Sequence, residues 1–257
     1  MGTVFLQDEF GLWNHHADAA GVVAVPHDVR CKLVLNVAGC ADLRPLSALA
    51  PGDLQGLELE CEGITDASLQ YISGLTGLEE LTVRPPATIR DAGFVHLRNL
   101  TSLNRLVVSG MYENVTGSGL AHIAPLVGLN ELRLADNSVN DDSMVHLEYL
   151  TDLRWLDISE TYVTDHGLSH LSRLARMENL FLELLQVTDD GLRNLKRMKR
   201  LRTLALTYSK VTMSGLRLLA GLPLESLAVI GCGLTQADAE ELARIFPGLR
   251  RLRWRFD

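Results

Sequence analysis

Apolar residues recur along this chain in one frame, and that frame restricts the possible folds more than any other feature. In the segment from Leu153 to Leu174 they occupy positions one, four, six, eleven, sixteen, nineteen and twenty-two. The frame begins again every 23–26 residues, at Leu54, Leu78, Leu103, Leu129, Leu153, Met177, Leu201, Leu224 and Leu249. A single unit of this length cannot bury its own apolar face. The period therefore predicts a solenoid in which successive units stack side by side.

The pattern inside one unit predicts a strand followed by a short helix. Side chains alternate along a strand, so Leu156 and Ile158 point to the same face, which we expect to be buried. Leu168, Leu171 and Leu174 follow at a spacing of three and form one apolar stripe on a helix. Stacked units of this kind give a right-handed curved array, with a parallel sheet on the concave face and short helices on the convex face.

Three segments carry a recurring motif: 64–69 with Cys61 ahead of it, 163–168 and 187–192. Their sequences, ITDASL, VTDHGL and VTDDGL, resemble the V/I-T-D-x-G-L signature of cysteine-containing leucine-rich repeats, which occur in F-box receptors and in many bacterial proteins. The resemblance covers roughly residues 54–257 and implies an α/β leucine-rich repeat solenoid. It says little about function. Residues 1–30 carry no F-box match, which argues against a ubiquitin-ligase adaptor.

The frame also predicts the domain organisation. Residues 1–30 do not fit it, and their aromatic residues and the apolar run 22–25 suit an N-terminal cap for the first unit. The array is expected to occupy residues 31–257. Within it we predict a degenerate first unit at 31–53, clear units at 54–248 and a terminal strand at 249–257.

Composition excludes some classes of function. The net charge of −8 argues against a nucleic-acid partner, because neutralising phosphates requires a basic face. No apolar run approaches the length of a membrane helix, and the first residues do not resemble a signal peptide. We therefore expect a cytoplasmic protein without a membrane partner.

The cysteine and motif content indicates a protein without a metal centre or catalytic site. Cys31, Cys40, Cys61 and Cys232 show no metal-binding spacing, so reduced thiols are expected, with a Cys31–Cys40 disulfide as the alternative. Nucleophile-elbow, phosphate-loop, dinucleotide and zinc-protease motifs are absent. We expect a non-enzymatic protein that needs no cofactor.

The outward positions of the strands form the predicted binding surface. Trp155 and Phe181 occupy such positions in neighbouring units, where most other units place small or charged residues. A cluster of large aromatic residues with charge beside it has the composition of a protein-binding hot spot. The alternative is that the two rings only pack on each other and on arginine side chains. The predicted site comprises Arg105, Glu131, Arg133, Trp155, Asp157, Asn179, Phe181 and Tyr208.

Two units are longer than the norm between the strand and the turn, and residues 84–88 and 110–114 contain the extra length. Insertions in repeat arrays often lie on the binding face, so Met111 and Tyr112 are predicted to extend the contact surface. A tolerated loop insertion without function is the alternative.

A histidine recurs at one position of four units. We interpret the column as a solvated flank of the helices on the convex side; binding a metal or responding to pH is the alternative. Its members are His96, His122, His146 and His170.

Arginines line the last strand, at positions 250, 251, 253 and 255. Charge on an edge strand discourages aggregation. The same residues could instead dock on an acidic surface, including the acidic N-terminal end of another copy. We expect a monomer or a weak homo-oligomer formed through this C-terminal edge.

These observations together predict a protein–protein interaction module that binds its partner on the concave face. Within the class of binding proteins, the alternative is an inhibitor or immunity-type protein that occludes a target enzyme. A metal- or pH-responsive protein using the histidine column is the alternative from another class.

Overall fold

The computed structural model describes residues 2–8, 12–19, 29–35 and 42–254. These residues form one twelve-stranded sheet in the order β12-β11-β10-β9-β8-β7-β6-β5-β4-β3-β1-β2. The first strands are β1 Gly2–Gln7, β2 Trp13–Ala19, β3 Cys31–Leu35, β4 Gly56–Leu59, β5 Glu80–Val83 and β6 Arg105–Val108. The remaining strands are β7 Glu131–Arg133, β8 Trp155–Asp157, β9 Asn179–Phe181, β10 Thr203–Ala205, β11 Ser226–Ala228 and β12 Arg251–Arg253.

Strands β3 to β12 pair in parallel, each with the next unit along the chain. This is the predicted α/β leucine-rich repeat solenoid. Strands β1 and β2 form an antiparallel hairpin whose first strand pairs with β3. The hairpin lies where the sequence predicts an N-terminal cap. The apolar run 22–25 lies outside the described residues, and the proposed division of the chain stays a prediction.

The core confirms the repeat frame. In the unit that starts at Leu153, the apolar frame residues of the strand, the turn and the helix are completely buried. The same positions of the neighbouring units are buried as well, so the core is continuous along the array. Its members in this unit are Leu153, Leu156, Ile158, Val163, Leu168, Leu171 and Leu174.

The segments opposite the sheet are mostly 3₁₀ turns rather than the expected short α-helices. The 3₁₀ segments are Arg44–Ala48, Asp66–Ile72, Asp91–His96, Ser118–His122, Asp141–Tyr149, Ser169–Arg173 and Arg193–Arg197. The α-helices are α1 Asp165–Leu168, α2 Asp189–Leu192, α3 Met213–Arg217 and α4 Gln236–Ile245. Leucines spaced by three explain the difference, because residues i and i+3 of a 3₁₀ helix lie directly above one another.

Small polar residues at position nine point inward and satisfy backbone groups, as their chemistry predicts. The Asn137 side chain is buried and donates from Nδ2 to the carbonyl oxygens of Val108 at 2.7 Å and Leu134 at 2.9 Å. Its Oδ1 accepts from the backbone N–H of Met111 at 3.1 Å. In a later unit the Cys232 thiol donates to the carbonyl of Leu206. In these units the turn after the strand is thereby fixed from inside.

The aspartates of the T-D motifs bind the next unit rather than capping the helix of their own unit. Thr164 accepts from the N–H of His166 and caps its own helix. The Asp165 carboxylate instead accepts from the backbone N–H of Thr188 at 2.8 Å and from its hydroxyl at 2.5 Å. Asp66, Asp91, Asp141 and Asp189 make the equivalent bonds. We call these five residues the aspartate column.

Asp91 makes the most hydrogen bonds in the column. Its carboxylate accepts from the hydroxyl and N–H of Thr116 and from the N–H groups of Gly117 and Gly119, at 2.6–3.1 Å. Partial burial raises the pKa of this carboxyl, but the four donors outweigh that effect and the pKa is lowered. The ionised side chain therefore stabilises the junction between two units.

The glycine of the motif is explained by the aspartate of the preceding unit. A Cβ atom on Gly167 would lie 2.5 Å from Oδ1 of Asp141, and one on Gly191 would overlap the Asp165 carboxylate. Where Gly117 replaces the aspartate, the following unit has Ser143 at the glycine position. Where Met213 replaces it, the following unit has Asp238. At this motif position the units have glycine where the previous unit supplies an aspartate, because a larger residue would overlap that aspartate.

The cysteines differ from the expectation of four reduced thiols. Cys31 and Cys232 are free, so the alternative Cys31–Cys40 disulfide is not formed. Cys61 is disulfide-bonded, and for this residue the expectation of a reduced thiol is wrong. Cys40 lies outside the described residues.

Candidate functional site

Two rows of outward-facing side chains cross the centre of the sheet, because neighbouring parallel strands are aligned without offset. The first row runs from Arg105 on β6 through Glu131 and Trp155 to Asn179 on β9. The second row contains Val107, Arg133, Asp157 and Phe181 on the same strands. The register thus brings together seven of the ten predicted site residues.

An ionic cluster forms one half of this site. Glu131 accepts from Nε of Arg133 at 2.6 Å and lies 3.1 Å from Nε of Arg105. Arg105 also donates to the hydroxyl of Thr82 at 3.0 Å. All three charged side chains are half-buried, at 21–32% exposure. Two guanidinium groups share one carboxylate, so the cluster carries a net positive charge.

Aromatic stacking forms the other half of the site. The Arg133 guanidinium carbon lies 4.9 Å from the centre of the Trp155 ring. The Trp155 and Phe181 rings are stacked at 5.0 Å with an interplanar angle of 27°. Both residues are partly buried rather than fully exposed as the sequence suggests. The rings do pack on each other and on an arginine, as the simpler alternative expects, and they still reach the surface.

Trp155 has one unusual property. Its indole Nε1 is buried and has no hydrogen-bond partner within the described part of the chain. An unpaired buried donor costs about 1–3 kcal/mol, and most buried polar groups in proteins avoid this state. We refer to Arg133, Trp155 and Phe181 as the central stack.

The two remaining predicted residues on these strands lie beside the stack. Asp157 is aligned with Arg133 on one side and with Phe181 on the other, and its Oδ1 accepts from the backbone N–H of Ser159 at 3.1 Å. Asn179 is aligned with Trp155 and is partly buried. Both therefore border the stack without extending it.

Of the predicted residues outside the strands, one is unsuitable for contact. Met111 is 2% exposed, so the prediction that it extends the surface is not met; its side chain belongs to the core instead. Tyr112 is 68% exposed and Tyr208 is 47% exposed. The Tyr208 ring lies against Gly231, where a Cβ atom would overlap the ring.

A pocket at the rim of the sheet contains residues that the sequence reasoning missed. It has a volume of about 330 Å³ and adjoins the carboxyl ends of β6, β7 and β8. Tyr112 lines it on one unit and Tyr162, which is 70% exposed, on another. We call it the rim pocket; its lining is Tyr112, Glu113, Asp136, Asn137, Ser138, Glu160, Thr161 and Tyr162.

A signal for the rim existed in the sequence. Position eight of successive units holds Asp136, Glu160, Leu184 and Tyr208, and all four have a left-handed backbone with φ between 56° and 59°. This conformation is uncommon outside glycine. Glycine occupies this position at Gly110 and Gly231. Large or charged residues at a position that favours glycine therefore mark the rim in the sequence.

The histidine column lies on the helical side, and each of its four members is partly buried. Nδ1 of His170 lies 2.6 Å from Oε1 of Glu148, which also pairs with Arg173 at 3.5 Å. Within residues 2–8, 12–19, 29–35 and 42–254, no group of three potential metal ligands comes together.

The arginines at the C-terminal end lie on an edge strand, since β12 pairs only with β11 in the described sheet. Arg250, Arg251 and Arg253 are exposed, and Arg250 reaches Glu225 at 4.0 Å. Arg255 lies outside the described residues. No helix within the described ranges is long and apolar enough to cross a membrane.

Solved structures with the same fold include internalins. Internalin C2 from Listeria monocytogenes superposes with a TM-score of 0.55 at 22% sequence identity, covering 74% of this chain and 76% of that chain. A second internalin of the same organism, inlF, gives a TM-score of 0.48 at 17% identity over 89% of this chain and 82% of that one. The first likeness establishes the leucine-rich repeat fold. No protein-family model matches this chain, and neither does any curated protein.

Proposed function

We propose that this protein is a non-enzymatic interaction module that binds a protein partner on the concave sheet, over the central stack. The observation that carries this proposal is the Arg133–Trp155–Phe181 stack with its unpaired indole N–H. The stack reaches the surface of a sheet whose other outward-facing side chains are mostly small or charged. Tryptophan and arginine dominate the residues that supply binding energy at protein interfaces. The leucine-rich repeat fold agrees with such a role, although a fold by itself does not define function.

The ionic cluster supports the same site. Side chains that already contact each other lose little conformational freedom when a partner binds, so more of the contact energy becomes affinity. Arg105, Glu131 and Arg133 hold one another on β6 and β7, beside the Trp155 ring. A partner that covered the ring and offered an acidic or carbonyl group to the arginines would therefore bind a preformed surface.

The test is a Trp155→Ala, Phe181→Ala double variant. A partner is first captured from the native cell with the unaltered protein, identified by mass spectrometry, and purified for titration. Two hot-spot residues that contribute about 2 kcal/mol each supply about 4 kcal/mol together, so we expect affinity to fall by a factor of several hundred. The matched control is Tyr149→Ala with Val127→Ala, which removes two exposed apolar side chains outside the sheet.

Unchanged affinity in a double variant that keeps its circular dichroism spectrum and melting temperature would refute the proposed site. If the captured partner is an enzyme whose activity falls on binding, the inhibitor or immunity-type alternative applies. The captured complex also reports stoichiometry, and thus tests the proposed monomer or weak C-terminal oligomer.

We also infer that the array is of the cysteine-containing repeat type. In support, Cys232 occupies the position that Asn137 holds in another unit, and its thiol donates to the carbonyl of Leu206 in the preceding unit, as Asn137 Nδ2 donates to the carbonyl of Val108. Replacing Cys232 by asparagine, which supplies an equivalent donor, should preserve the melting temperature, whereas Cys232→Leu should lower it.

The cellular compartment is tested through Cys61. The sequence predicts a cytoplasmic protein, whereas a disulfide at Cys61 is typical of oxidising compartments. Acid-quenched alkylation of the protein in its native cell distinguishes the two. A reduced Cys61 supports the cytoplasm, and an oxidised Cys61 excludes it.

A further inference from the structure

The rim pocket presents two tyrosine rings on either side of one repeat unit. The backbone at Tyr112 is bridged to Asn137, and Tyr162 is bridged to Asn140, so both tyrosines flank the unit that starts at Leu129. Neighbouring strands lie about 4.8 Å apart, which places the backbones of the two flanking units roughly 10 Å apart. That separation suits a flat or narrow group between two rings.

The pocket also carries negative charge that forms no ion pair within the described residues. Asp136 and Glu160 line it, and Asp157 and Glu183 lie close to Glu160. None of these four carboxylates forms an ion pair with another described residue. The nearest strand arginines, Arg105 and Arg133, are already paired with Glu131.

The titration behaviour of Glu160 agrees with this excess of charge. Partial desolvation, repulsion from Asp136 and a hydrogen bond with it raise the pKa of the Glu160 carboxyl, and Glu183 and Asp157 raise it further. A neighbouring cation would have the opposite effect. The charged groups that act on Glu160 within the described residues are therefore all acidic.

The pocket is preformed by the turn beneath it. Asn137 holds the turn through its bonds to Val108, Leu134 and Met111, and is 2% exposed. Tyr112, Asp136 and Glu160 all have positive φ angles, between 49° and 57°. Non-glycine residues adopt this conformation at an energetic cost and are enriched at functional sites.

We propose that the rim pocket binds a cationic side chain, arginine or lysine, of the protein partner that occupies the concave sheet. The tyrosine faces attract a cation through their quadrupoles, and the carboxylates pair with it. This inference rests on the proposed function, because it places a second anchor of the same partner beside the central stack. The partner would then need a basic residue next to the segment that covers Trp155.

The test uses a probe that differs from its control only in charge. N-acetyl-arginine amide is titrated into the full chain with isotope-labelled tyrosine, and N-acetyl-citrulline amide is the neutral control. We expect the Tyr112 and Tyr162 resonances to shift with the arginine probe alone. Tyr112→Ala, Tyr162→Ala and the pair Asp136→Asn with Glu160→Gln should each weaken the probe at least fivefold, while Tyr149→Ala should change nothing.

Equal shifts with the citrulline probe, or unchanged binding in the tyrosine and carboxylate variants, would overturn the proposal. Melting temperatures confirm that each variant is folded. The outcome is separable from the proposed function. The affinity of the arginine probe should be unchanged in Trp155→Ala with Phe181→Ala. If the affinity of the partner falls when Trp155 is replaced but is unchanged in the Tyr112 and Tyr162 variants, the rim pocket alone is excluded.

Discussion

The aspartate column and the central stack lie in the same repeats but follow opposite rules. In the column, five units place an aspartate at one position, and its bonds always reach the next unit. On the sheet face, the row that contains Trp155 changes from arginine to glutamate to tryptophan to asparagine over four neighbouring strands.

This difference distinguishes residues that hold the array together from residues that give its surface a specific chemistry. Each unit needs its neighbour for stability, so a bond that joins units is useful in every unit. A binding surface instead needs local variety, since large anchors surrounded by other chemistry give specificity. We therefore expect substitutions in the column to affect folding, and substitutions in the stack to affect binding.

The largest effect is expected in the column, for Asp91→Ala. Loss of the carboxylate leaves the N–H groups of Thr116, Gly117 and Gly119 without their acceptor. Hydrogen bonds to a charged group contribute about 1.5–3 kcal/mol, so we expect a loss of about 3 kcal/mol in the free energy of unfolding. Urea denaturation measures it, and Asp142→Ala in an exposed position is the control.

The Asp91 effect should also depend on pH. The pKa of this carboxyl is lower in the folded than in the unfolded chain. Its contribution is therefore complete above the unfolded pKa of about 4 and is lost as pH falls through the folded pKa. The difference in the free energy of unfolding between the native protein and Asp91→Ala should be constant from pH 6 to 8 and smaller near pH 3. A difference independent of pH would contradict the assignment to the ionised group.

A smaller effect is expected for Gly191→Ala. The new methyl group would overlap the Asp165 carboxylate, and overpacking of this kind costs about 1–3 kcal/mol. We expect a loss of about 2 kcal/mol, measured by denaturation, and no loss for Gly128→Ala, where a Cβ atom meets nothing within 4 Å.

The explanation of the glycine is tested by a double-mutant cycle. In an Asp165→Ala background the overlap is removed, so Gly191→Ala should cost less than half as much as in the native background. Additive losses would show that Asp165 is not the reason for glycine at position 191.

Arg133→Gln should affect binding more than stability. The variant removes the guanidinium over the Trp155 ring and one ion pair with Glu131. Contacts of this kind at a partly exposed site contribute about 1 kcal/mol or less to stability. Affinity for the captured partner should fall about fivefold, which corresponds to about 1 kcal/mol. A stability loss as large as that of Asp91→Ala would place Arg133 with the structural residues instead.

The smallest effect is expected for Glu160→Gln in the rim pocket. Because the pKa of Glu160 is raised in the fold, its ionised form destabilises the protein at neutral pH, and this penalty disappears as pH falls. The variant should be more stable than the native protein by a few tenths of a kcal/mol at pH 7, since the group is exposed and screened. The gain should vanish near pH 4, and a loss at pH 7 would contradict the unpaired charge.

The repeat frame was sufficient to predict the parallel sheet and the buried leucines. Both depend on local periodicity: alternation along a strand and a spacing of three on a helix. The pairing of Asp165 with Gly191 could also have been found in the sequence, because glycine is replaced by Ser143 and Asp238 only after units without the aspartate.

The sequence by itself determined the repeat, its register and the rows of side chains that face outward. Only the tertiary structure decided how those side chains meet. Met111 turned into the core, Trp155 stacked between Arg133 and Phe181, and Tyr112 and Tyr162 came to line one pocket. Periodicity states which way a side chain points, whereas its contacts depend on rotamers, on insertions such as residues 110–114, and on neighbours some 24 residues away. All three are fixed only when the units stack.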